Sequence, residues 1–441
     1  MEIPMLDQLI VLLGGKENRF GVLAESNTKQ LTVIASNTDV AVGDLFLLPC
    51  TRGSERVYIF RTTQYANVMN RTLEMNDVAR NKLTMPDSYL SKDLAEENLI
   101  ELKGIVLGYA EHREHGWVFH RPRRLPEHLT DVYRVTPDES ATAEVVKTLM
   151  ESQLGKNGLF IGNLLAGESP LVGVPVQLPP SALSHHIAIF GRTGCGKSNL
   201  MMVFLHSIMD HNRLVGKGER VGRDGKSVPR CSIFAIDPHD EFQTWHAKTG
   251  GADGIRGIVT GYSDSDQEDL VHPFYYLTAK NVQDDGFVRK VKLSRADITP
   301  EDLASVTEMT DQQIALAHAY YAKPNMGDRW ITPLLMVDSG NAADDPQIGS
   351  FHPGTIDGVK RRLSFVYRGN NRIFTKYDPD GGYEYDSILP DIICALERGR
   401  VIIVDTTLMT EMEQFILTTV VARVLFSLRK GLRSADTLER L

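Results

Sequence analysis

The chain has 441 residues, of which 42% are hydrophobic and 24% charged, an ordinary globular composition. This excludes collagen-like, disordered and disulfide-scaffold proteins, and at about 150 residues per domain it suggests roughly two to four domains. Lysine and arginine number 48 against 57 acidic residues, a formal net charge of −9. A small, wholly basic nucleic-acid-binding domain is therefore excluded, while a large machine with a local basic surface is not.

Cys50, Cys195, Cys231 and Cys394 lie far apart with no Cys-x-x-Cys pair. That spacing argues against a metal site built from them and fits a reducing cytoplasm. The N-terminal apolar run is too short for a spanning helix and lacks a basic leader region. No other run approaches the ~20 apolar residues of a membrane helix. The expected location is the cytoplasm, with no membrane partner.

In chain order, LIVLL, GVLAE, LTVIAS, GDLFLL and RVYIFRT, between residues 7 and 68, read as short strands. Their spacing of about ten residues favours a small barrel. LEMNDVARNKL and SKDLAEENL read as helical, IELKGIVLGYAE and GWVFHRPRR as two further strands, and ATAEVVKTLMES as a linker helix. These place a first boundary near residue 150. From Ile187, IAIFG reads as a buried parallel strand, followed by the helical NLMMVFLHSIMD. SIFAIDPHDEF and RVIIVDTT read as further strands, the latter followed by a long helix. Such strand–helix alternation points to a parallel α/β sheet. Residues 270–370 read as mostly helical, with Thr299, Pro300 and Asp302 forming a helix-start signal.

The segment Gly191-Arg192-Thr193-Gly194-Cys195-Gly196-Lys197-Ser198 fits the phosphate-binding pattern G-x-x-x-x-G-K-[ST]. The glycines let consecutive N–H groups of Thr193, Gly194, Cys195 and Gly196 turn toward phosphate oxygens, and the following helix adds the positive end of its dipole. Lys197 supplies a point charge to the outer phosphates and the Ser198 hydroxyl ligates Mg²⁺. ATP and Mg²⁺ are the expected ligands. Asp237 and Glu241, at the carboxyl end of a strand, are candidates for holding the metal and orienting the attacking water. The alternative reading of Asp237 is a loop-start residue that caps a turn. Asp405 has the apolar-run-then-Asp form of a Walker B strand, but Thr406 and Thr407 follow it where an acid is usual.

His112, Arg113, His115, His120, Arg121, Arg123 and Arg124 cluster around Trp117 and Phe119. This stretch suits nucleic acid, but suits a solvated strand face or a subunit contact as well. The loop 216–230, with five basic and two acidic residues, suits a phosphate backbone or an ordinary surface insertion. His185 and His186 read as structural or nucleotide-edge residues.

SHHIAIFGRTGCGKSN followed by IDPHDEF resembles the HerA family of the FtsK/HerA superfamily of P-loop ATPases. In the family's Asp-Pro-His-Gly-Glu-Tyr run the fourth residue is glycine and the sixth tyrosine; here Asp240 and Phe242 stand in those places. The resemblance implies an α/β chain: a small β-barrel and linker over 1–150, then a RecA-like P-loop parallel-sheet domain over 151–441 with a helical insertion at about 270–370. It implies nucleotide contacts from Gly191, Thr193, Gly194, Cys195, Gly196, Lys197, Ser198 and Asn199, catalysis through Lys197, Glu241 and Asp237, and metal contacts from Ser198 and Asp237. It also implies a homo-hexamer that moves double-stranded DNA. An effector partner would dock on the barrel face, a nuclease such as NurA in archaeal relatives or a sirtuin-type NAD-consuming protein in bacterial ones. Four cysteines and 14 methionines show no hyperthermophile bias, which leans toward a bacterial, antiphage member. In the family a Walker B strand and a trans-acting arginine follow RVIIVDTT and its helix, and this sequence ends at DTLERL, where that strand is expected. A ring that binds nucleotide and activates an effector, with little hydrolysis, is the alternative reading.

Overall fold

The computed structural model describes residues 5–27, 30–36, 39–50, 55–67, 99–114, 116–136, 140–154, 158–220, 228–242, 274–282, 288–323, 330–340, 349–367, 372–374 and 386–434. The chain divides into two compact units, 1–188 and 189–441.

The first unit is built on strands β1 (Gly21–Ser26), β2 (Leu31–Ala35), β3 (Leu45–Cys50), β4 (Arg56–Asn67), β5 (Ile100–Arg113), β6 (Gly116–His120) and β7 (Asp131–Arg134). They pair in the order β2-β1-β7-β3-β4-β5-β6, and β2 also pairs β5. Six strands thus close into a barrel, with β6 extending outward from β5. Gly104 sits at the closure, opposite both Leu31 and Thr62. A Cβ there would lie 2.0 Å from the Arg61 carbonyl oxygen, so only glycine lets the strands approach this closely.

Alternation in β3 and β4 serves two cores at once. Phe46, Leu48, Tyr58 and Phe60 fill one, together with Leu23, Leu31 and Val33. Leu45, Leu47, Val57 and Ile59 fill the other, with helix α1 (Leu6–Leu12) and helix α2 (Ser140–Leu154). LIVLL is therefore helical, not a strand: Leu6, Leu9 and Leu13 fall at i, i+3 and i+7 and are buried. ATAEVVKTLMES is no free linker either, since Ala143, Val145, Val146 and Leu149 pack into this core. So do Ala166, Leu171 and Val174 of the hairpin β8 (Leu159–Ala166) and β9 (Ser169–Leu178). That packing carries the first unit to residue 188, beyond the boundary expected near 150. The helical expectation for LEMNDVARNKL and SKDLAEENL lies outside the described residues.

The second unit holds a parallel sheet of β10 (Ile233–Asp237), β11 (Phe274–Thr278), β12 (Val288–Lys290) and β13 (Val401–Asp405), in the order β10-β13-β11-β12. Every residue of β11 and of β13 is buried, which explains their apolar runs. Tyr275, Leu277, Ile402 and Val404 face a core shared with the helices α4 (Pro300–Thr307), α5 (Asp311–Tyr321), α6 (Ile331–Met336), α7 (Pro353–Tyr367), α8 (Leu389–Glu397) and α9 (Glu411–Ser434). The start of α4 is as expected: Thr299 caps it and the Asp302 carboxylate reaches back to the Thr299 amide at 2.9 Å. Two expectations change. Residues 270–370 are not mostly helical from their start, because FYYLT forms β11, one of the two inner strands of the sheet. The helix opening at Pro300 ends at Thr307, and Glu308 takes φ 51° before α5 begins.

The second change falls on IAIFG. Residues 187–191 form no strand, and no described strand pairs with them. Phe190 is 91% exposed and Ile187 50%. Apolar residues alone do not make a strand; a ladder partner is needed to satisfy the backbone.

Candidate functional site

The phosphate-binding segment runs directly into helix α3 (Lys197–Gly216). Gly194 and Gly196 have φ of 81° and 87°, the left-handed region where L side chains are strained. A methyl group added at either would meet nothing within 4 Å, so backbone conformation demands glycine there while the space above the loop stays open. At Gly191 the reason differs: its Cβ would lie 2.2 Å from Cys195 Sγ. The Gly194, Gly196, Lys197 and Ser198 amides have no backbone acceptor among the described residues.

Lys197 Nζ donates to the carbonyls of Gly191 at 3.0 Å and Arg192 at 2.8 Å. An ammonium carries three donors, so this grip fixes the charge at the loop mouth and leaves one N–H for a ligand. Unpaired amides at a helix start, open space and a fixed cation together fit a polyphosphate. Ser198 and Asn199 are exposed in the first turn of α3, which suits a metal contact from the Ser198 hydroxyl.

α3 is held to the sheet by Asn212. Its Nδ2 donates to the Cys231 and Gly399 carbonyls, and its Oδ1 accepts from the Cys231 amide at 2.8 Å. These carbonyls precede β10 and β13, so one side chain fixes the helix against two strand starts.

At the other end of the sheet, Asp237 and Asp405 stand opposite each other in register, and Asp405 is also opposite Thr278. Asp237 is 1% exposed. Its carboxylate accepts from the amides of His239 (3.4 Å), Glu241 (3.0 Å) and Phe242 (2.9 Å). These bonds make Asp237 the cap of the turn that follows β10. Glu241 is half-buried on the turn that Asp237 shapes, and His239 is exposed. His185 and His186 are exposed as well.

Asp240 takes φ 56°. This accounts for the glycine of the resembling family at that place, because the turn needs a left-handed residue. Aspartate tolerates the conformation better than most, and here its carboxylate is bound on both oxygens, by the Tyr276 hydroxyl and by Lys280 Nζ. Burial first, then the hydrogen bond to Asp240 and the charges of Asp405, Asp240 and Asp237, push the Tyr276 phenol far above its usual range. Tyr276 therefore stays a donor. Lys280 Nζ also reaches Asp405 at 3.0 Å. Burial opposes the Lys280 charge, but bonds to Asp240 and Asp405 outweigh it and raise its pKa.

Asp405, 1% exposed, accepts from Thr278 Oγ1 at 2.7 Å, Thr407 N at 3.0 Å and Thr407 Oγ1 at 2.6 Å. Burial raises its pKa, but the bonds from Thr407, Thr278 and Lys280 prevail and lower it. The sequence named Asp237, Asp405 and Glu241 but not Tyr276, Thr278 or Lys280. Nothing in their local spacing marked them out. Asp240→Gly relieves the backbone but strips the acceptor from Tyr276. We expect a net loss of about 0.5–2 kcal/mol, since a hydrogen bond to a charged group is worth about 1.5–3 kcal/mol and relief of the left-handed backbone about 1 kcal/mol. Urea unfolding at pH 7 measures it, and a more stable variant would contradict this account.

The open glycine loop, with Lys197 at its mouth, has the form of a phosphate-binding P-loop. Residues 159–331 match the family model described as the central domain of helicase HerA. The match covers less than half of the chain and supports an ATPase of the HerA/FtsK P-loop type. No curated protein matches the sequence. No helix among the described residues is long and apolar enough to cross a membrane, and among them no group of His, Cys, Asp and Glu is placed to hold a metal ion by itself.

Proposed function

We propose that the chain is an ATP-hydrolysing subunit that moves double-stranded DNA. The open glycine loop with Lys197 fixed at its mouth carries this reading, together with the HerA match across it. Lys197 and the loop amides bind the outer phosphates, and Ser198 holds the metal. Mg²⁺, when bound, neutralises phosphate charge. Glu241 orients water, and Asp237 acts through the turn that positions Glu241. A homo-hexamer, a RecA-like sheet and an effector docked on the barrel, a nuclease or a NAD-consuming protein, follow from the resemblance. So does a role in antiphage defence or DNA end processing, in the cytoplasm.

One observation favours the second reading, a nucleotide-binding ring that activates an effector with little hydrolysis. The Asp405 carboxylate is occupied by Thr278, Lys280 and Thr407, and Thr406, not an acid, follows it. ATP turnover of the full chain with and without duplex DNA separates the two. DNA stimulation of severalfold supports the motor; nucleotide binding without turnover supports the ring.

A further inference from the structure

The run Arg121-Pro122-Arg123-Arg124-Leu125-Pro126 leaves the barrel just after β6. Arg121, Arg123 and Arg124 are exposed, and none has an ion-pair partner among the described residues. Their neighbours differ: Arg56 and Arg113 both pair with Glu111, at 3.0 Å each. In a chain of net charge −9, three exposed arginines within four residues, unpaired among the described residues, are a local reversal of sign.

The run is also pinned at both ends. His120 belongs to the β5–β6 ladder, opposite Tyr109, and its ring lies 5.2 Å from that of Tyr109, which lies 5.2 Å from Tyr58. At the far end the Tyr58 hydroxyl donates to the Leu125 carbonyl at 3.1 Å, and Pro126 is buried. Pro122 and Pro126 fix their own φ and bias Arg121 and Leu125 away from helix. Little backbone ordering entropy remains to be lost on binding, so the strap holds the three arginines along one fixed run of chain.

We propose that this strap binds the phosphate backbone of duplex DNA. The inference rests on the reading of the chain as a DNA-working ATPase and assigns part of its DNA contact to the barrel unit. Arginine suits phosphate because its planar fork donates two parallel bonds. Arg121 to Arg124 spans at most about 11 Å of chain, equal to the axial rise of about three phosphates on one strand. A protein partner fits less well, since the strap offers no buried aromatic anchor of the kind protein interfaces centre on. The aromatic rings lie beneath it, in the barrel.

The test uses the full chain and a fluorescein-labelled duplex, with anisotropy read without nucleotide across a salt series. Each neutralised phosphate contributes about 0.9 to the log–log salt slope. The triple variant R121A/R123A/R124A is expected to lose up to about 2.7 of that slope and to bind at least tenfold more weakly at low salt. The triple lysine variant, which keeps the charge, is expected to keep most of the slope. Equal slopes for wild type and the alanine variant overturn the proposal. So does displacement of the duplex by polyglutamate at equal charge concentration, which marks a surface for an acidic protein. ATP turnover without DNA, measured on the same variants, keeps the two readings apart. Unchanged DNA binding with turnover that Lys197→Ala removes rejects the strap alone; loss of neither rejects the ATPase reading as well.

Discussion

Lys197→Ala is expected to lower ATP turnover by at least a hundredfold while leaving the fold intact. The side chain is only half-buried and its bonds go to two carbonyls of its own loop, so its removal costs little stability. Its charge is fixed at the loop mouth, where the outer phosphates would sit. A preorganised donor aimed at developing charge is worth about 10²–10³ in rate. Lys197→Arg keeps the charge, but its wider fork cannot hold both carbonyls from the same point. It is therefore expected to stay impaired, though less than alanine. Steady-state turnover, with nucleotide affinity from a fluorescent ATP analogue, measures both. Normal hydrolysis by Lys197→Ala would remove the assignment of this loop as the catalytic phosphate site, and the HerA match would then describe a fold without its chemistry.

The loop was legible because its requirement is local. Glycines at φ 81° and 87° and a lysine that reaches back over them are all set within eight consecutive residues. The barrel strands were legible for a similar reason, since alternation in LTVIAS and RVYIFRT is a property of each strand alone. Where burial was decided by distant chain, reading failed. LIVLL has no period of its own long enough to separate strand from helix, and the barrel wall decides which residues it covers. FYYLT is buried on both faces by α/β packing, so it carried no alternation to set against the helical stretch that follows. IAIFG has the composition of a buried strand but lacks a partner among the described strands.

The polar network shows the limit most clearly. Asp240, Tyr276, Lys280 and Asp405 come from three strand ends separated by up to 165 positions, and only the parallel register brings them together. Nothing in the spacing of Tyr276 and Lys280 announces a role. The register does, because it sets Thr278 and Asp237 on either side of Asp405.

Asp405→Ala is accordingly expected to be the most destabilising single change in this region, by about 3 kcal/mol. Removing the carboxylate deprives Thr278 and Thr407 of their acceptor in a site 1% exposed. Hydrogen bonds to a charged group are worth about 1.5–3 kcal/mol each. The pair with Lys280 adds less, because that lysine is 36% exposed and water screens it. At about 2–4 °C per kcal/mol for a unit of this size, the melting transition of the nucleotide-binding unit is expected to fall by about 6–12 °C at pH 7. The pH dependence separates the charge from the packing. Asp405 has a lowered pKa in the fold, so its contribution is present above the unfolded value of about 3.9 and is lost as pH falls through the lowered folded value. Asp405→Asn keeps the shape and loses the charge. Its melting gap from wild type is therefore expected to hold steady from pH 8 to pH 5 and to narrow below about pH 4. A gap that persists undiminished at pH 3 would mean that shape, not charge, makes Asp405 the keystone of the strand ends, and that Lys280 and the Asp240 turn are held by other bonds.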